Sequence, residues 1–477
     1  MKQRNVVTSF IAQLSRDGNI SKILLAKRST KVHTYREHWA SISGSIETND
    51  PSPIARARIE ISEETSLDPD AHLDLVLAGK PQHIRDSDLD THWTIHPFLF
   101  ALKSPELAER VHIDWEHTEA KWAPPEELEN AVIRPTVPGL VETFRRVRVG
   151  PLVARGLREL QNDTVSGAQE MAVHALRVFR DGIDDVHTND PNEFWRRLRM
   201  MGWHIAKNGR PSMSAAIEGG ILRALTDVKK RWDATSVTTG RDVAQKVVTE
   251  LISASESVTS RLKTAFLKFM ADEGRNRGHI TILTLSHSST LRNCLAELVR
   301  RPPVFVKLLI LESRPANEGV ALAKRLVDEN PNVEVEIASD ASVGLFAQQA
   351  THLLLGADRI TPSGDIFNKI GSLPAAILAR RCGAKVVAVA QRDKISKSSD
   401  DKEDYLEEHA GDELLRAWDS TLKANGKVQV RNFYFEKVPA DIVDVFLTEE
   451  GALDKEMIGN IWDSRQEAEN TMFGEEL

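Results

Sequence analysis

The chain has 477 residues, enough for two or three domains with cores of their own rather than one compact unit. Its 41% hydrophobic and 28% charged residues exclude an extended disordered chain, and a net charge of −8 excludes a dominant electrostatic footprint for nucleic acid, so direct nucleic-acid binding is not expected. Two cysteines, Cys294 and Cys382, form no ligand-spaced pair, which argues against a zinc motif or a disulfide framework and for a reducing, cytoplasmic setting.

The first stretch, MKQRNVVTSFIAQLSRDGN, has too short an apolar segment for a signal-peptide core, and no run of about 18 apolar residues follows, so no membrane association is expected. From Asn5 to Arg28 the pattern predicts a β-hairpin: VVTSFIAQLS, a turn on Arg16-Asp17-Gly18-Asn19, then SKILLAKR. Pro51 to Leu67 reads as a helix opened by prolines and a serine, and His92 to Leu102 as a strand. Near Val149 to Pro151 this mixed pattern gives way to helical segments: LVARGLRELQ, SGAQEMAVHALRVFRDGI, NEFWRRLRMMGWHIA and SAAIEGGILRALTDVKKRW.

Beyond Gly278 short apolar runs alternate with helices: ITILTLS, VKLLILE, VEVEIAS, THLLLGAD and KVVAVAQ. Runs buried on both faces and joined by crossovers make a doubly wound, Rossmann-like parallel sheet, whose ligands bind at the carboxyl ends of the strands. The fold class is therefore a multidomain α/β and α+β chain. Its expected parts are a mixed domain over 1–147, a helical subdomain over 148–277, a Rossmann-like subdomain over 278–465 and a frayed acidic tail, QEAENTMFGEEL, over 466–477.

Two stretches carry chemistry. In HWASISGSIETNDPSPIARARIEISEETSL, residues 38–67, the helical spacing of Glu60, Glu63 and Glu64 puts three carboxylates on one face. Like charges so placed either face open water or are neutralised by a hard divalent cation. In GADRITPSGDIFNKIGS, residues 356–372, small residues after a strand let a ligand approach the backbone, Asp358 brings a carboxylate, and Asn368 and Lys369 add donors. Composition alone favours reading that segment as a glycine-rich turn with a surface lysine.

The first stretch resembles a Nudix box, a glycine-containing loop before a helix with the pattern REUxEExGU, and EHTEAKWAPPEEL, residues 116–128, resembles that family's closing segment. The resemblance, over roughly residues 4–147, implies an α/β/α sandwich and a metal-dependent pyrophosphohydrolase acting on a nucleoside diphosphate linked to another group. It makes Glu60, Glu63 and Glu64 the ligands of Mg²⁺ or Mn²⁺, with Glu63 or Glu64 as a catalytic base. Ile59 stands where the family has arginine, with Arg58 one position early; Ser66 replaces the late glycine, Ser45 a usual glycine, and the loop carries an extra residue. Since Ile59 cannot orient a glutamate as arginine does, turnover stays open.

The second stretch resembles the family of methylthioribose-1-phosphate isomerase, ribose-1,5-bisphosphate isomerase and the α, β and δ subunits of initiation factor 2B. The same order holds for Arg210-Pro211-Ser212-Met213, ILTLSHSST (282–290), ESRPANEG (312–319), Ser339-Asp340-Ala341 and NFYFEKVPADIVDVFLTEEGAL (432–453), over roughly residues 155–460. In the isomerases a cysteine and the GAD aspartate work as acid and base. Asp358 holds the aspartate position, but Ser286 holds the cysteine's, and a hydroxyl is far less acidic than a thiol of pKa about 8.5. His287 beside it is either a substitute or a structural hydrogen-bonder.

By the same resemblance Arg210, Ser288, Arg314, Asp340, Asn368 and Lys369 bind a sugar phosphate or nucleotide, and the domain forms a homodimer. Three functions follow as alternatives. One is a Nudix hydrolase tethered to a sugar-phosphate-binding domain, with a phosphorylated small molecule as substrate or effector. Another is a non-catalytic regulatory protein in contact with initiation-factor subunits. The third is an aldose-phosphate isomerase using Asp358 with Ser286.

Overall fold

Alternating apolar residues draw the N-terminal segment into the expected hairpin. The computed structural model describes residues 2–15, 18–163, 166–210, 214–285, 288–330, 332–396, 408–409, 411–415, 428–474 and 477. In it β1 (Lys2–Leu14) pairs antiparallel with β2 (Ile20–Arg28) and parallel with β7 (Thr91–Leu102), which takes in the strand expected at His92 to Leu102. With β3 (Trp39–Ala40), β4 (Ile42–Ser45), β5 (Leu73–Ala78), β6 (Gln82–Asp86) and β8 (His117–Ala123), these make a mixed sheet of eight strands among the described residues. β4 lies along β1 and β8 along β2, which brings the loop before the acidic helix and the closing segment close to each other.

That helix, α1 (Pro53–Thr65), starts where Ser52 accepts a hydrogen bond from the Ala55 amide and Pro53 sets the first turn. Ala57 and Ile61 bury its apolar face against Val7, Ile11, Leu24 and Phe100. It ends at Ser66, whose φ of 58° lies in the left-handed region that glycine adopts without strain. Ser66→Gly is expected to stabilise the fold by ~1 kcal/mol, read as a higher urea midpoint at unchanged slope. An unmoved or lowered midpoint would show that no strain is stored there.

After a short helix, α2 (Leu140–Arg145), come α3 (Pro151–Asn162), α4 (Ala168–Gly182), α5 (Pro191–Asn208) and α6 (Ser214–Arg231), which match the four expected helical segments. The 41-residue α7 (Val237–Arg277) did not stand out in the sequence, because its apolar positions are diluted by Thr, Ser and charged residues. It buries Val247, Val248, Leu262, Phe266 and Met270, and stops at the left-handed Gly278.

The second large sheet holds β9 (His279–Thr284), β10 (Phe305–Leu311), β11 (Glu334–Ala338) and β12 (His352–Gly356). β13 (Arg359–Ile360) and β14 (Ile366–Lys369) leave it to pair aside, and β15 (Lys385–Val389) returns. Parallel pairs join β11, β10, β9, β12 and β15, followed by the parallel strand Val445–Thr448 and an antiparallel edge at Gly451–Leu453. The strand order reverses between β9 and β12, so a crevice opens at their carboxyl ends. Around this sheet lie α8 (Ser289–Arg300), α9 (Glu318–Glu329), α10 (Val343–Ala347) and α11 (Ser372–Arg381).

The expected frayed tail is a helix instead, over Lys455–Phe473, capped by Asp454. Met472, Phe473 and Leu477 are buried, because these apolar residues close the groove beside α5 and α6. One hydrophobic core runs from Phe10, Leu25 and Phe144 through Leu157, Phe179 and Ile205 to Phe473, so the segment near 150 is a packed junction. Polar groups tie it: Asn208 exchanges two hydrogen bonds with the Ala78 backbone, and Arg146 donates to the carbonyls of Pro81 and Leu477. No helix among the described residues is long and apolar enough to cross a membrane.

Candidate functional site

The front site is built where β4 meets α1. A side chain at Gly44 would stand 1.7 Å from Glu60 Oε1, so only glycine lets that carboxylate lie on the strand. One turn on, Glu64 is buried at 3% exposure and accepts from the Ser43 amide at 3.3 Å. Burial first, then repulsion from Glu60, Glu116 and Asp114, pushes its carboxyl well above the ordinary range. Burial likewise raises Glu60, with Arg56 opposing and Glu63 and Glu116 adding, and raises Glu116, with Asp114 adding and Arg28 opposing. Glu63 lies on the exposed side of α1.

The arginine missing at position 59 is replaced from one turn earlier. Arg56 reaches Glu60 at 3.4 Å, Asp50 at 2.8 Å and Glu47 at 3.3 Å, while Arg58 pairs with Asp70 away from the cluster and Ile59 faces outward. A helical i to i+4 step is the signal that would have found Arg56. His117 and Asp114 also went unseen in the sequence. His117 sits at 6% exposure with Nδ1 3.3 Å from Asp114 Oδ1 and Nε2 3.6 Å from Glu64 Oε2, and that buried Nε2 has no hydrogen-bond partner. Among the described residues no three His, Cys, Asp or Glu side chains converge as a ready-made cage. The donor chemistry still fits a divalent cation: carboxylates forced together and an unsatisfied imidazole nitrogen.

The rear site lies at the crevice between β9 and β12. Ser288 caps α8 by accepting from the Leu291 amide, and a side chain on Gly356 would stand 3.1 Å from its Oγ and 3.5 Å from Asn368 Oδ1. Ser288, Gly356 and Asn368 thus meet, and Asn368 is held by donating to Ser372 Oγ at 2.9 Å. Asp358 Oδ1 is 3.7 Å from Lys394 Nζ, a side chain that sequence reasoning missed. Burial holds the Lys394 ammonium below its usual pKa, opposed by Asp358.

Arg314, Lys369, Ser313, Pro315, Glu318 and Tyr434 line one small cleft. Lys369 Nζ lies 3.4 Å from Glu318 and 4.5 Å from the Phe435 ring centroid. Asp340, expected to touch ligand, instead accepts from the Ser313 and Arg314 amides at 2.9 and 2.8 Å and so sets the loop that carries Arg314. Arg210 is not among the residues lining that cleft; it donates to the Asp163 carbonyl at 2.8 Å. Ser286, His287 and residues 211–213 lie outside the described residues. Cys294 does not replace the missing thiol, since it packs in the core and burial pushes its pKa up to about 12.

Comparison with known proteins assigns both parts. The model of the Initiation factor 2 subunit family matches residues 164–455, and the NUDIX domain model matches residues 4–146. The chain is 27% identical over 321 residues to a ribose 1,5-bisphosphate isomerase of Haloferax volcanii, covering 65% of this chain and 91% of the relative. It is 31% identical over 301 residues to a Pyrococcus furiosus protein described as translation initiation factor eIF-2B subunit 2-like, covering 63% and 96%. Among solved structures, the tetrameric eIF2B-beta2-delta2 complex from C. thermophilum aligns with a TM-score of 0.52 at 16% identity, over 69% of this chain and 100% of the aligned one, which is a likeness of fold.

Proposed function

Because the chain belongs to the Initiation factor 2 subunit family and carries a NUDIX domain ahead of that region, we propose that it is a metal-dependent pyrophosphohydrolase joined to a sugar-phosphate-binding domain. The front domain is read as a Nudix-type α/β/α sandwich and the rear sheet as Rossmann-like. The observation that carries the proposal is the pairing of Glu60 and Glu64 against the backbone at Ser43 and Gly44. Carboxylates whose repulsion burial sharpens are the groups that a divalent cation relieves. Glu60 and Glu64, with Glu63 beside them, would hold Mg²⁺ or Mn²⁺; when bound, the ion neutralises pyrophosphate oxygens and acidifies a water.

Arg56 fixes Glu60, and Ser43 fixes one oxygen of Glu64, leaving its other oxygen for the cation, while the exposed Glu63 beside them would take the proton of the attacking water. The substrate is a nucleoside diphosphate linked to another group. ADP-ribose is the first candidate, since water then splits it into AMP and ribose 5-phosphate, and the latter belongs to the ligand class proposed for the rear domain. There Arg314 and Lys369 supply the cations for a phosphate, with Ser288 and Asn368 for hydroxyls. With serine at 286 and Cys294 sealed in the core, the rear domain binds its ligand and does not isomerise it.

The exposed side chains of Leu345 on α10 and Ile377 on α11, two helices packed together, support a homodimer formed through this domain. The purified chain, given Mn²⁺ or Mg²⁺ and a panel of nucleoside-diphosphate-linked compounds, is expected to release a nucleoside monophosphate, followed by phosphorus NMR. No cleavage of any of them, together with co-purification of initiation-factor subunits, would replace this reading with a regulatory one.

A further inference from the structure

The front site holds a group that carboxylate chemistry leaves unexplained. His117 opens β8, and its side chain is 1% exposed. Its Nδ1 faces Asp114 Oδ1 at 3.3 Å, so the ring hydrogen on that nitrogen has a carboxylate to receive it. That leaves Nε2, buried and without a hydrogen-bond partner, aimed at Glu64 Oε2 from 3.6 Å. Leaving a buried imidazole nitrogen unpaired is costly, and an apolar residue would fill the space without that cost.

We propose that His117 is a nitrogen ligand of the cation held by the front site, and that it makes the site favour first-row transition ions over Mg²⁺. The inference rests on the metal-dependent reading above. The gap between Nε2 and Oε2 is too long for a hydrogen bond yet short enough for both atoms to reach one such ion. A histidine whose other nitrogen is turned to a carboxylate is the arrangement in which metal-bound imidazoles are held, and Asp114 supplies that carboxylate. Imidazole nitrogen adds little for Mg²⁺, which takes oxygen donors and keeps several waters, whereas first-row transition ions accept it. Glu64 would join the two donor types, with Glu60 next to it.

The test uses Mn²⁺ bound to the full chain and pulsed electron paramagnetic resonance, which detects nitrogen coupled to the ion. The unaltered protein is expected to show that coupling. His117→Leu should lose it and bind Mn²⁺ about 10- to 100-fold more weakly, with Mg²⁺ competition little changed. Bound Mn²⁺ without nitrogen coupling in the unaltered protein overturns the assignment of His117 and leaves the hydrolase reading standing. Failure of the unaltered protein to bind Mn²⁺ at all overturns both. Because the decisive spectrum comes from the unaltered chain, a misfolded variant does not blunt the result.

Discussion

Glutamine in place of Glu64 is expected to lower pyrophosphohydrolase turnover by about 100-fold or more while leaving the fold at least as stable. The two halves of that expectation have one cause. Burial and the neighbouring carboxyls raise the pKa of Glu64, so the charged form is the disfavoured one in the folded state. A carboxyl raised in this way contributes stability that is fully present below its ordinary unfolded value and lost as pH climbs through the folded one. Glutamine keeps the neutral shape and an acceptor for the Ser43 amide, so it escapes that loss, but it holds a cation poorly. Turnover with Mn²⁺ and the metal-free melting midpoint above pH 7 check both halves. Unchanged turnover removes Glu64 from the chemistry, and a collapsed midpoint shows that the carboxylate is structural.

Acid should loosen the junction between the two halves, and His204 is the expected reason. Its ring is fully buried on α5, accepts from the Asn208 side chain at 3.3 Å, and burial outweighs the Arg146 backbone to hold its pKa down at about 4. For a depressed group of this kind the stability is fully present above the ordinary value of about 6.5 and is lost as pH falls toward the folded value. Complete passage through that window costs about 3 kcal/mol, a large share of the stability of an ordinary domain. Urea midpoints at pH 7, 5.5 and 4.5 should converge for the parent and His204→Leu as pH falls, the variant having the shallower slope. Parallel lines would assign the acid sensitivity to other groups.

Periodicity carried the local part of this structure. The hairpin, the helix with the acidic face and the apolar runs that became β9, β10, β11, β12 and β15 were legible because each is a short repeat of two or 3.6 residues, or an apolar run. The long α7 was missed because its apolar stripe is thin, and the terminal helix because its acidic residues masked Met472, Phe473 and Leu477, which do the packing. Both family resemblances were legible from motif order.

The partners of the candidate site residues were not. Arg56 stands in for an arginine expected three residues later, an exchange that only the i to i+4 step to Glu60 hints at. His117 reaches Glu64 only because β8 lies beside β2 and β1 lies beside β4, while Lys394 reaches Asp358 from the loop after β15. Asp340 sat in the right motif, but only coordinates show its carboxylate spent on backbone amides.

The shared interior has a consequence for how the molecule can be handled. Phe10, Phe144, Phe179, Ile205 and Phe473 fill one continuous oily space, although they come from the beginning, middle and end of the polypeptide. Scissors applied between residues 147 and 148 would not free two self-sufficient pieces, since each would carry away half a wall. Heat should therefore dissolve the front domain and the helical region behind it in a single step, while the rear parallel sheet, which packs around cores of its own, is free to melt apart from them.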